Sequence, residues 1–263
     1  MGYGPSRIQA TLPDLDTVGR KLRTSSMPYL YDIAEGNIAN HFAVNKFGHN
    51  PTVGAALESV WSGSVDYTFS SAAAAYYISS SAAGDGQVIE VQGLDANWEL
   101  QVINVTLQGL TKTRIGTTET FIRAFRAKNT GTTNNAGNVW IYEDDTLTDG
   151  VPDTDSKKRA MIAAGENQTL MAIWSVPNAS STAYLTSFYA STSIVKATEV
   201  RLYVRPFGGV FQVKKVISIN GGTGQISYDI PLVIAAKSDV QIRAKAAGGG
   251  GEVSAGFDLW YEV

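Results

Sequence analysis

The chain of 263 residues contains no cysteine. Disulfide frameworks, thiolate metal sites and cysteine nucleophiles are therefore excluded. Histidine is almost as scarce: there are two, His41 and His49. Charged residues make up 17% of the chain, against about a quarter in ordinary soluble domains. The net charge is -3 and the pI about 5.4; neither is a nucleic-acid footprint, which needs a basic face, and no nucleic-acid partner is expected. There is no run of about 18 apolar residues, which argues against a membrane-spanning helix. The opening MGYGPSRIQATLPDLD lacks the apolar stretch of a secretion signal. A soluble product made in a cytosol is expected, and the Asn-x-Ser/Thr triplets at Asn104, Asn167 and Asn178 read as chance.

The parts of an enzyme are as sparse. A Ser-His-Asp triad would have to use His41 or His49, and no G-x-S-x-G elbow exists. His49, in Phe47-Gly48-His49-Asn50-Pro51, reads as a turn residue. Gly221-Gly222-Thr223-Gly224 has the glycines of a phosphate loop, but no lysine follows and no helix starts there. It reads as a turn. The densest acidic stretch, Glu143 to Asp155, fails the EF-hand spacing: Leu147 and Ser156 stand where ligands belong, and Lys157, Lys158 and Arg159 follow. A solvated hairpin loop is preferred there over a weak Ca²⁺ site. No enzymatic activity and no cofactor are expected.

What the sequence does have is alternation. From about Gln87 to the C-terminus, apolar and polar residues alternate with period two. Val240, Ile242, Ala244 and Ala246 share one face; Val200, Leu202 and Val204 do the same, as do Ile226, Tyr228 and Ile230, and Phe257, Leu259, Tyr261 and Val263. Further strands are predicted at Trp98–Leu107, Thr120–Ala127, Val139–Tyr142, Thr169–Val176, Ala183–Ser191 and Phe211–Ile219. Turn-forming residues separate them at Asn129–Gly137, Asp144–Asp155, Pro177–Ser180, Gly221–Gly224 and Gly248–Gly251. The pattern predicts an all-β, antiparallel, jelly-roll-like sandwich. Phase breaks in Trp98–Leu107 and at Lys214–Lys215 predict bulges or bends.

The remainder divides differently. Residues 1–62 read as an extended N-terminal arm with short helices at Asp14–Leu22 and Val53–Trp61, the second capped by Thr52. Residues 63–86, rich in Ser and Ala, read as a transition segment, and 87–263 as the sandwich. The arm carries large apolar groups, among them Tyr29, Tyr31, Phe42 and Phe47, which need a surface to cover. A neighbouring subunit is the first choice for that surface and the chain's own sandwich the second. Trp98, Trp140 and Trp174 lie inside predicted strands and read as core. Trp260 falls on the polar phase of its strand; an interface role and packing beneath the arm both fit. Arg201, Tyr203 and Arg205 share the outer face of a strand, and Arg, Tyr and Trp dominate interface energetics. With Trp260 and the arm aromatics they are the candidate contact residues.

Three segments carry a family resemblance. They are Asn45-Lys46-Phe47-Gly48-His49-Asn50-Pro51 with Glu58-Ser59-Val60-Trp61; Tyr77 to Gly86 leading into Val91–Trp98 and Val105–Gly109; and Ala163–Ala172 ending at Val176-Pro177. In order and spacing, across roughly residues 45–184, they resemble a family of tailed-phage virion structural proteins. The resemblance implies a non-enzymatic particle component, located in the virion, partnered by other virion proteins and by further copies of itself. Capsid decoration is the leading position; a neck, tail or fibre base comes next. A carbohydrate-binding jelly roll is the reading from another class.

Overall fold

The computed structural model describes residues 29–63, 66–178 and 180–263; the predicted helix at Asp14–Leu22 lies outside them. The described chain opens with a six-residue helix, α1 (Tyr29–Ala34). Strands β1 (His41–Val53), β2 (Glu58–Ser59), β3 (Tyr76–Ser80), β4 (Val88–Leu94), β5 (Leu100–Thr106), β6 (Thr113–Arg114), β7 (Arg123–Asn129) and β8 (Val139–Glu143) follow. A small hairpin, β9 (Leu147–Thr148) and β10 (Val151–Pro152), leads to β11 (Lys158–Ile162) and β12 (Ile173–Ser175). Two 24-residue strands come next, β13 (Thr182–Arg205) and β14 (Gln212–Ala235). The chain closes with β15 (Asp239–Ala246) and β16 (Gly251–Glu262). All the ladders between these strands are antiparallel, and the fold is the predicted all-β sandwich.

The largest sheet runs β1-β16-β13-β15-β12, with β14 on the other edge of β13 and β2 on β15. It is folded over on itself. Ala235 pairs with Thr182 at one end of β13, while Asp239 pairs with Arg205 at the other. A straight strand of 24 residues would hold those ends about 80 Å apart, a gap that the turn from Ala235 to Asp239 cannot span. The strand doubles back where the β13–β14 register slips between Thr192 and Ala197. Opposite that slip, Gly221 and Gly222 take φ of 74° and 90°, a left-handed backbone that glycine adopts freely. The predicted turn at Gly221–Gly224 is thus a corner inside one continuous strand. The halves of β13 enclose one core: Ala183, Leu185, Phe188 and Ala190 from the first, Val200, Leu202 and Val204 from the second, with Ile242, Phe257 and Leu259.

Residues between β2 and β12 build a second sandwich. One sheet is β11-β8-β3-β6 and the other β5-β4-β7. Tyr76, Ile78, Ile89, Val91, Phe121, Ile141 and Ile162 fill its core. The two cores meet at β12. Met171 and Ile173 belong to the second core, Ala172 and Trp174 to the first. Alternate side chains of a strand point to opposite faces, so this short segment serves both cores. Val60 and Trp61 divide between them in the same way, and Trp61 bridges Met171. The connection into the second sandwich and the one out of it therefore lie side by side.

Several expectations need correction. Val53–Trp61 is not helical: Val53 ends β1, Glu58 and Ser59 form β2, and Trp61 is in the core. His49 is not in a turn but in β1, opposite Ser254. Pro51, which lacks a ladder donor, sits where the β1–β16 register slips between Asn50 and Val53. The Ser/Ala-rich stretch contains β3, a strand flanked by β8 and β6, because its small side chains are buried: Ser79 and Ser80 are fully enclosed. β5 pairs with β4 without a slip. Its phase break reflects an outer face carrying exposed Leu100 and Val102 while Val105 turns inward. The predicted irregularity at Lys214 is present: Leu202 pairs with Lys215 and Tyr203 with Val213, leaving Lys214 as the extra residue.

Candidate functional site

The inward phase of β13's second half is Val200, Leu202 and Val204, all buried. Arg201, Tyr203 and Arg205 therefore share the opposite face, as the alternation predicted. Pairing sets their neighbours. Arg201 lies between Val216 of β14 and Arg243 of β15, and Tyr203 between Val213 and Gln241. Val213 and Val216 are both more than two-fifths exposed, at 45% and 44%. The Arg243 guanidinium lies 5.7 Å from the Tyr203 ring centre and 5.5 Å from that of Phe211. Arg201 is ion-paired with Glu199, and Lys245 approaches the same carboxylate at 3.7 Å. The face thus offers guanidinium donors on aromatic rings beside exposed valines.

Arg205 belongs to a deeper network. Its Nε donates to Asp239 Oδ2 at 3.0 Å. The same carboxylate accepts from Arg123 Nε at 2.7 Å and Nη2 at 3.0 Å, and from Ser175 Oγ at 2.6 Å. Phe69 lies beneath both guanidiniums, its centre 5.1 Å from Arg123 and 4.7 Å from Arg205. Trp98 faces Arg123 at 4.9 Å. Arg123 and Asp239 were not singled out from the sequence. The available signal was that Arg123 shares the phase of Phe121, Phe125 and Ala127, so that an apolar strand face carries a charge that has to find a partner.

The arm aromatics divide. Tyr29 of α1 packs edge-on against Trp260 at 5.5 Å, and Tyr184 stacks on the same indole at 4.1 Å. Trp260 is consequently buried, at 7% exposure, beneath the chain's own helix. Phe42 stacks on Tyr261 at 5.0 Å. Tyr31, Phe42 and Phe47 keep 60%, 46% and 39% of their surface exposed.

Lys46 is buried in β1 and donates to the Phe125 carbonyl. β7 carries a bulge there, because Gln92 pairs with Arg126 and Gly93 with Ala124. Phe125 is thus left out of the ladder, and Lys46 supplies its carbonyl with a donor. Burial, and after it the Arg126 charge, hold the Lys46 amine well below the usual lysine range.

The remaining candidates for chemistry are tied up in structure. His41 lies between the Ala39 carbonyl (2.8 Å) and Glu262 (3.1 Å). His49 meets Ser254 Oγ at 3.0 Å, but no described carboxylate orients its ring as a triad requires. In the acidic loop, Asp144, Asp145 and Asp155 pair with Lys112, Lys157 and Lys158. Asp149 and Gly150 form the left-handed turn of a tight hairpin, with φ of 49° and 76°.

No protein-family model and no curated protein matches the chain. Among solved structures it is similar to one described as "Structure of infectious bursal disease virus Gt strain", at 12% identity over 89% of this chain and 77% of that one, with a TM-score of 0.24. It is also similar to "Crystal structure of infectious bursal disease virus VP2 subviral particle", at 10% identity over 90% and 82%, with a TM-score of 0.21. Scores this low carry no argument about family or function.

Proposed function

We propose that this chain is a non-enzymatic structural protein of a tailed-phage virion, seated on the capsid as a decoration or accessory protein. The outer face of β13 is its docking surface. The observation that carries the reading is the alignment of Arg201, Tyr203 and Arg243 with exposed Val213 and Val216 across three paired strands. Arginine and tyrosine beside apolar groups make the composition of an interface centre. A β-sandwich with sparse charge and the resemblance set out above support the same reading. The mechanism is mechanical: surface buried across subunit joints favours the assembled shell by mass action. Partners are capsid proteins and further copies of this chain. A neck or tail position is the second reading, and copy number per particle separates the two, with hundreds for decoration and about a dozen for a unique vertex.

The test pairs Arg201→Glu with Tyr203→Ala. Arg205 is spared because it neutralises Asp239. A variant that melts like the parent but no longer joins particles in a complementation assay supports the docking face. Normal incorporation removes it.

A further inference from the structure

Beside the Arg205 end of this face lies a cavity of about 340 Å³, closed on one side by the loop Pro206 to Gly209. We infer that it is a binding site for a carboxylate-bearing sugar, a uronic-acid-type residue of an acidic polysaccharide.

Charge comes first. Arg123, Arg205 and Lys237 line the cavity against one carboxylate, Asp239. That carboxylate is already shared between both arginines and Ser175. Among the described residues no carboxylate pairs with Lys237, whose amine lies 5.4 Å from the Phe207 ring centre. The lining therefore has a surplus of positive charge on a chain whose net charge is -3. An anion that enters meets this net positive lining and, in the Lys237 amine, a charged donor that no described carboxylate holds.

Shape and chemistry narrow the anion. The volume is at the small end for ligand pockets, which start at about 300 Å³. Phe207 is 66% exposed and rests edge-on against Trp98 at 5.7 Å. It presents a ring face on which the C–H side of a sugar can stack. The Ser71 hydroxyl and the Gly208 peptide offer neutral partners, which a hydroxylated ring satisfies and an apolar acid leaves unpaired; the Gly209 N–H is taken by the Pro206 carbonyl.

Backbone strain points to the same place. Five described non-glycine residues have positive φ: Asn40, Trp98, Asp149, Asn167 and Lys237. Asn and Asp tolerate that region. The remaining two, Trp98 and Lys237, both line this cavity. Strained backbone of this kind gathers at ligand sites, where the surrounding structure holds it in place.

The experiment titrates the full chain with galacturonate and a short oligogalacturonate, following heat and tryptophan fluorescence, with glucose and acetate as controls. Saturable binding is expected for the uronates, at least about tenfold tighter than for either control, with the gap narrowing as salt is added. Lys237→Met, at a position with no ion pair to lose, should melt like the parent and weaken uronate binding about tenfold or more; Phe207→Ala should do the same. Three outcomes overturn the assignment: glucose binding as tightly as galacturonate, acetate binding as tightly as galacturonate, or uronate binding that is absent or indifferent to Lys237→Met.

Discussion

Arg123 and Asp239 face each other through two parallel hydrogen bonds, Nε to Oδ1 at 2.7 Å and Nη2 to Oδ2 at 3.0 Å. One residue stands on β7 of the second sandwich and the other on β15 of the folded sheet. Their side chains are 6% and 3% exposed. The pair joins the two sandwiches: Asp239 also has Arg205 in its own sheet, whereas Arg123 pairs with no other carboxylate among the described residues. Asp239→Asn removes the charge that neutralises both Arg123 and Arg205. It is expected to lower stability by about 3–5 kcal/mol, the usual loss when one partner of a buried pair is removed. Urea unfolding checks it, and an unchanged midpoint would show that the arginines find other acceptors.

The Lys46 amine carries a pH dependence whose sign follows from its depressed pKa. The unfolded chain binds this proton up to about pH 10.5, whereas the folded chain releases it at a lower pH. Between those two values the unfolded state holds more protons, so stability rises with pH. In Lys46→Met that contribution is gone, and the bulge carbonyl of Phe125 loses its donor at a cost of about 1–3 kcal/mol. The difference in denaturation midpoint between parent and variant is expected to widen in the parent's favour from pH 7 to pH 10. A difference that stays flat over that range would mean that the amine titrates normally.

The corner in β14 depends on backbone that only glycine takes without strain. Gly222→Val forces a branched side chain to a φ of 90°, at a cost of roughly 1–3 kcal/mol. A thermal melt is the measurement. Gly224→Ala makes a second case: its φ is not positive, but an added Cβ would press on the Ile217 side chain.

Two truncations separate the arm from the sandwich. Removing residues 1–40 takes away α1 and uncovers Trp260, but leaves β1 intact. A cooperative melt with red-shifted tryptophan emission is expected. Removing residues 1–62 also takes β1, which pairs with β16 from His41↔Glu262 to Val53↔Gly251, along with Val60 and Trp61 from the two cores. That product is expected not to fold. A folded 63–263 fragment would show that β16 tolerates an open edge.

Much of the folded sheet was legible because β13, β15 and β16 put apolar residues on one phase and polar ones on the other. β1 was not. Its enclosed residues include Lys46, Gly48 and Asn50, so the inward phase looks polar. Gly48 is there because a Cβ would overlap the Val60 carbonyl oxygen. The stretch Val53–Trp61 has helix-forming composition, which long-range pairing overrides. In sequence Gly221–Gly224 reads as a turn because the same glycines serve a hairpin and a corner, and only the pairing on both sides distinguishes them. The phase of Arg201, Tyr203 and Arg205 could be read from the strand itself. The partnership of Arg205 with Asp239 and Arg123 could not, because it joins residues 116 positions apart in the chain and no local pattern encodes that meeting. Trp260 shows the limit of phase: it sits on the polar side of β16 yet is covered, because α1 lies over it.

The side-by-side entry and exit at Trp61 and Met171 have an evolutionary meaning. A unit that leaves and rejoins its base at one spot can be lengthened, replaced or grafted elsewhere while the base keeps its own strand order. In this protein that unit is the middle of the chain, between Trp61 and Met171. Divergence among related proteins should therefore concentrate between those two residues, with β1, β13, β15 and β16 changing more slowly beneath it.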